Sequence, residues 1–272
     1  MLKQRVLTAL VLAPLFLSAV VLLKPVFMAM ILALFILVGA WEWTRLVKLR
    51  AVWLRAAYVG LIGLFLWAGW YYIDARGSLM PLLTVTAGWW LLALLWVLNY
   101  PLGQQADGVS QLVKSVAGIL VLVPAWMALV SMHTQGYQWF LYLFVLIWVA
   151  DSGAYFSGRA WGRHKLAPKV SPGKSWEGVY GALVLVAVYA YLASYWLALP
   201  ADGVMAFVLL SLVIVPVSVL GDLFESMIKR YSGEKDSGTI LPGHGGVLDR
   251  IDSVTSAAPV FLLGGILLEL IQ

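Results

Sequence analysis

Nine apolar runs dominate this chain, at roughly 6–23, 26–43, 54–73, 79–99, 112–132, 137–157, 178–199, 203–228 and 254–271. Each is near the ~20 residues that an α-helix needs to cross the hydrocarbon of a bilayer. In lipid, every backbone N–H and C=O must be satisfied within the element or its closed sheet, so runs of this length restrict the chain to helices. The expected fold is therefore all-α, a polytopic integral membrane bundle of about nine transmembrane helices. Composition agrees: 62% of the 272 residues are hydrophobic and only 11% charged, whereas soluble domains are about a quarter charged. Fourteen Trp and twelve Tyr suit a chain with many membrane–water boundaries, where amphipathic rings settle. Lys24-Pro25, Gly77-Ser78, Pro101-Leu102-Gly103 and Pro200–Gly203 punctuate the runs as helix breakers should. The run from Val6 to Leu23 follows MLKQR but is longer than a signal-peptide core and lacks an A-x-A site, so it reads as an uncleaved first helix. A break in the sixth run is expected near Asp151.

The basic residues orient the layout. With the N-terminus in the cytoplasm, fifteen of the eighteen Lys and Arg fall on the cytoplasmic side, the asymmetry of the positive-inside rule. They include Arg45, Lys48 and Arg50, Lys114, the cations of 158–177 and those of 229–253. Both long polar loops thus face the cytoplasm. The chain divides into N-terminal transmembrane helices, 1–135, and a C-terminal catalytic region, 136–272, that carries these two loops. The net charge of +5 is no nucleic-acid signal here, because in membrane proteins cations set orientation and meet lipid headgroups. With no cysteine, a thiol nucleophile and a thiolate metal site are excluded.

Charge is concentrated in 226–253, SMIKRYSGEKDSGTILPGHGGVLDRIDS. Asp222, Glu225, Ser226 and Lys229 are spaced i, i+3, i+4, i+7 and share one helical face. Asp222 lies about 12 Å along the helix from Arg230, at or inside the hydrocarbon boundary. A carboxylate there needs a partner, water or a metal. Asp249 and Asp252 form a second i, i+3 pair just before the ninth run. Two carboxylate clusters at neighbouring helix ends can converge on a divalent cation, and all-oxygen ligands suit Mg²⁺. Between them, the glycines of Pro242-Gly243-His244-Gly245-Gly246 allow backbone amides to approach an anion. In the other loop Lys174 follows the turn Ser171-Pro172-Gly173, a context that holds a lysine for phosphate, with Lys165 and Lys169 nearby and Asp151 a further acid. KVSPGKS is not a P-loop, since position 169 is Lys rather than Gly. Cations, acids and glycines together point to transfer chemistry on phosphates, which needs positioning and charge neutralisation more than a strong base.

The run from Ser226 through Lys229-Arg230, Lys235-Asp236-x-Gly238, Leu241-Pro242-x-His244-Gly245-Gly246-Val247 to Asp249-Arg250-Ile251-Asp252 resembles, without departure, the signature of the phosphatidate cytidylyltransferases. SPGKSWEG at 171–178 resembles the family's S-P-x-K-T-x-E-G, with Ser175 where Thr is usual. The resemblance implies that the chain converts CTP and phosphatidate into CDP-diacylglycerol and pyrophosphate in the bacterial inner membrane, with its site facing the cytoplasm. It implies Mg²⁺ held by Asp222 and Asp249 with Asp252 in support, a potassium ion that the same acids can hold, and a homodimer. Lys229, Arg230, Lys235, Asp236, His244 and Arg250 become the candidate catalytic set. Ser171, Lys174, Ser226, Gly243, Gly245, Gly246, Lys165 and Lys169 become candidates for substrate binding. Two alternatives are weighed: a polyprenol-type lipid kinase using CTP or ATP, and an ion-coupled transporter with Asp222 and Asp151 lining its path. Neither inverted repeats nor paired broken helices, which a transporter favours, are visible.

Overall fold

The computed structural model describes residues 14–75, 77–102, 104, 108–238 and 245–271. The helices are α1, whose described part covers 14–22, α2 (Pro25–Leu46), α3 (Val52–Asp74), α4 (Met80–Leu98), α5 (Gly108–Gln135), α6 (Tyr137–Trp161), α7 (Trp176–Trp196), α8 (Val204–Ser232) and α9 (Leu248–Leu267). Among the described residues, eight of these, α2 to α9, are long and apolar enough to cross a membrane. Residues 6–13 of the first expected span lie outside the described residues. Lys24 stands at the N-cap position of α2 without a side-chain cap bond, and Pro25 opens the first turn, where the missing N–H costs nothing.

α6 does not break near Asp151; it continues as helix to Trp161. The reason is its partner. α6 and α7 pack along their length, and a Cβ at Gly153 would meet the Ala182 backbone at 3.0 Å. Small residues there let two backbones approach closely, which stabilises both helices in lipid. The segment between these two helices is not an open loop. β1 (Lys165–Ala167) and β2 (Ser171–Ser175) form an antiparallel hairpin, pairing Lys165 with Ser175 and Ala167 with Ser171. Ser175 ends β2 and caps α7, its Oγ accepting the Gly178 N–H at 3.2 Å.

α5 and α9 form the buried centre, 78% and 56% buried over their most apolar windows, against 22% for α3 at the rim. Since lipid tails are as apolar as the core, packing and interhelical hydrogen bonds hold such a bundle together. Trp126 Nε1 donates to Ala29 O at 3.0 Å, Trp43 Nε1 to Lys114 O at 2.9 Å, and Ser256 Oγ to Val217 O at 2.8 Å. Phe224 of α8 is enclosed by the rings of Trp43, Trp89, Trp90 and Trp96, with centroids 5.8–6.3 Å away. That aromatic box fastens α2 and α4 against α8 beside Glu225. The large apolar side chains left outside, such as Leu91, Leu95, Val184 and Leu192, form the surface that lipid covers.

Candidate active site

The C-terminal ends of α2 and α8 and the N-terminal ends of α7 and α9 meet at one end of the bundle, together with the hairpin. Polar side chains converge there in two groups, each organised around a lysine.

The first group surrounds Lys174 of β2. Its Nζ lies 2.6 Å from Asp222 Oδ2 on α8. Asp222 Oδ1 accepts the Ser226 hydroxyl at 3.1 Å, as the i, i+4 spacing predicts. Asp151 of α6 and Asp252 of α9 both lie within electrostatic reach of Lys174 and of Asp222. Four separate elements thus contribute one ionisable group each. With side-chain exposures of 23% for Lys174 and 30% for Asp222, the pair is open enough for a ligand to reach.

The second group lies deeper. Lys229 Nζ is 2.6 Å from Asp249 Oδ1 and 3.2 Å from Glu225 Oε1, and all three side chains are nearly buried. Asp249 Oδ2 accepts the Gly246 N–H at 2.8 Å, the Ser237 N–H at 2.9 Å and the Ser237 hydroxyl at 3.0 Å. Both oxygens of Asp249 therefore face protein donors, and this acid organises the loop before α9. The amide of Gly246, expected to cradle phosphate, is held by that same carboxylate. Gly245 stands beside it at φ +85°. Gly243 and His244 lie outside the described residues.

The remaining predicted residues are spread around these groups. Arg230 is exposed and reaches Val170 O and Glu234 O, each at 3.4 Å. Lys235 and Asp236 are exposed in the segment after α8, and Arg250 is exposed on the first turn of α9. Ser171 lies half-buried in β2. The structure separates the other two lysines. Lys165 lines an outward notch of about 670 Å³ with Arg163, His164, Trp176 and Glu177. Lys169 is the charged residue among those lining an apolar groove of about 500 Å³ between α4, α7, α8 and the hairpin, with Leu98, Val170, Trp176, Val219 and Leu223.

Glu42 and Ser237, which touch each other in this region, are both absent from the set expected on sequence grounds. Glu42 of α2 is buried at 1% exposure and accepts the N–H groups of Val247 and Leu248 at 3.1 and 2.9 Å. A signal for it exists in the sequence, because a lone acid near the end of an apolar span marks a functional position by default.

Among the described residues, no three His, Cys, Asp or Glu side chains are gathered as a ready metal cage. Mg²⁺ ordinarily takes one or two carboxylates and completes its shell with substrate phosphates and water. Asp222, paired with the Lys174 ammonium, and Asp252, within electrostatic reach of Asp222, fit that more modest demand.

Over residues 3–267 the sequence matches the cytidylyltransferase family. A phosphatidate cytidylyltransferase of Haemophilus influenzae is 42% identical, covering 96% of this chain and 97% of that protein. Proteins of the same name from Pseudomonas aeruginosa, at 43% identity with 96% of each chain covered, and from Bacillus subtilis, at 35% with 94% and 95% covered, are also similar.

Proposed function

The chain belongs to the cytidylyltransferase family, and we propose that it transfers a cytidylyl group from CTP to phosphatidate, releasing CDP-diacylglycerol and pyrophosphate. The observation that carries this is a juxtaposition. Two lysine–carboxylate groups lie at one end of a transmembrane bundle, next to an apolar groove that carries Lys169. A substrate with a phosphate head and acyl tails needs both environments at once, and a second, water-soluble polyphosphate needs the exposed cations Arg230, Lys235 and Arg250.

In this reading the acyl chains lie along the groove and the head of phosphatidate meets Lys174. A phosphate-monoester oxygen attacks the α-phosphorus of CTP. The new bond joins that oxygen to the α-phosphorus, and the bond from the α-phosphorus to the bridging oxygen breaks. Pyrophosphate leaves with the electron pair. The attacking oxygen is already anionic, so no strong base is required, in keeping with transfer by positioning and charge neutralisation. Lys229, fixed between Glu225 and Asp249, supplies a cation whose position is set before substrate arrives. Asp222 and Asp249, with Asp252 in support, would hold Mg²⁺, with potassium as the second ion these acids can take. When bound, Mg²⁺ offsets the negative charge of the phosphates.

The polar end is the cytoplasmic one in this proposal, because Arg45, Lys48, Arg50, Lys114 and the hairpin cations belong to this end of the bundle, and the membrane is taken as a bacterial inner membrane from the similarity to bacterial proteins. A homodimer is part of the same reading, and light scattering on the detergent-solubilised protein tests it. The activity is tested with purified protein, phosphatidate, radiolabelled CTP and Mg²⁺. A lipid-soluble cytidine product together with pyrophosphate is expected. Release of a nucleoside diphosphate would instead indicate a lipid kinase, and ion flux without any nucleotide requirement a transporter.

A further inference from the structure

The polar end of the bundle is anchored by a residue from the first half of the chain. Glu42 Oε1 accepts the Val247 N–H at 3.1 Å, and Oε2 accepts the Leu248 N–H at 2.9 Å and the Ser237 hydroxyl at 3.2 Å. That hydroxyl is also 3.0 Å from Asp249 Oδ2, so its single hydrogen is shared between the two carboxylates, and the other oxygen of Asp249 is 2.6 Å from Lys229 Nζ. An unbroken polar chain therefore runs Glu42–Ser237–Asp249–Lys229–Glu225, from α2 to α8. The glycines around it leave room for the carboxylate. A Cβ on Gly238 would collide with Glu42 Oε1, and one on Gly246 would lie 2.7 Å from the same oxygen.

We infer that Glu42 is a positioning residue for nucleotidyl transfer: it sets the backbone flanking α9 and, through Ser237, the carboxylate–ammonium pair of Asp249 and Lys229. The amides of Val247 and Leu248 stand at the start of α9, where helix N–H groups lack intrahelical partners and attract anions. Glu42 fills them from within the protein. A nucleotide phosphate is thereby directed to the side-chain cations instead of to the helix end, so the register of the triphosphate is set by Glu42 without contact with it. Gln at this position has the same size but turns an NH₂ toward an N–H or O–H donor, which breaks the latch and leaves the volume unchanged.

The kinetic part of this inference rests on the cytidylyltransferase reading, and the loop part on geometry alone, so the test has two arms. In the full-length protein in nanodiscs, Glu42→Gln should speed hydrogen exchange of the amides of 247 and 248 by about tenfold or more, with the helices of the other end unaffected. In the CTP assay it should lower kcat/KM for CTP by roughly 10- to 100-fold, while KM for phosphatidate stays within about twofold. Ser237→Ala, which removes the hydroxyl between Glu42 and Asp249 but leaves both Glu42–amide bonds, should keep exchange at 247 and 248 slow and still lower kcat by about tenfold. Wild-type exchange in Glu42→Gln overturns the latch. A loosened segment with unchanged kcat and CTP KM overturns the positioning role. Should Glu42→Gln not fold, wild-type kcat in Ser237→Ala overturns the positioning role. A wild-type protein inactive with CTP refutes the cytidylyltransferase reading and leaves the exchange arm to decide the latch.

Discussion

Removing the ammonium of Lys229 is the sharpest test of the buried group. Lys229 Nζ stands 2.6 Å from Asp249 and 3.2 Å from Glu225, with side-chain exposures of 9%, 11% and 5% respectively. In Lys229→Met, two nearly buried carboxylates lose their shared cation. Breaking a buried pair by deleting one partner costs about 3–5 kcal/mol. Asp249 keeps the N–H groups of Gly246 and Ser237 and the Ser237 hydroxyl, which places the cost at the low end, about 3 kcal/mol. At roughly 2–4 °C per kcal/mol for a chain of this size, Tm should fall by about 6–12 °C. Intrinsic fluorescence reads this directly, since the chain has 14 Trp, whereas thiol dyes would find no cysteine. The double variant Lys229→Met/Glu225→Gln removes one carboxylate charge along with the cation and should recover about half the loss. It should stay inactive with CTP, which separates the stability of the group from its chemistry. A single variant melting within about 2 °C of wild type would refute the claim that these acids depend on Lys229.

Other parts of the structure give further expected outcomes. Asp222→Asn should lower CDP-diacylglycerol formation by about 10³-fold or more with the helical circular dichroism unchanged; near-normal turnover would remove Asp222 from the candidate metal site. Ser175→Ala deletes the cap of α7 and should cost about 1 kcal/mol, read as a Tm shift of about 2–4 °C. Val219→Trp narrows the apolar groove, so KM for phosphatidate should rise several-fold, on the order of 1 kcal/mol, with KM for CTP unchanged; equal changes in both would argue against acyl chains lying there.

The spans are readable because the requirement is local: a transmembrane helix must carry its own ~20 apolar residues in sequence. The expected runs at 54–73 and 79–99 accordingly fall within a few residues of Val52–Asp74 and Met80–Leu98. The signature acids and lysines are readable for a related reason, since their spacing on α8 and α9 fixes a shared face before any partner is known. Asp151 misleads in the opposite direction. A polar residue suggests the end of a span, yet α6 runs on because α7 supplies the close-packed partner at Gly153. The hairpin at 165–175 likewise looks like a loop in sequence, its Pro and Gly giving turn signals while its pairing depends on where α6 and α7 end.

Partnership is what the chain alone could not specify. The sequence groups Asp222 with Asp249 at one cation. Tertiary structure distributes them between two lysines: Lys174 arrives from the hairpin beside Asp222, and Lys229 reaches from α8 to Asp249. Glu42 is about 200 residues from the backbone amides it holds, |i−j| being 205 for Val247 and 206 for Leu248. Length and periodicity belong to a single segment, so they survive in the sequence as pattern. The neighbour of a charge is decided by which helix ends meet, and that is settled only when the bundle closes.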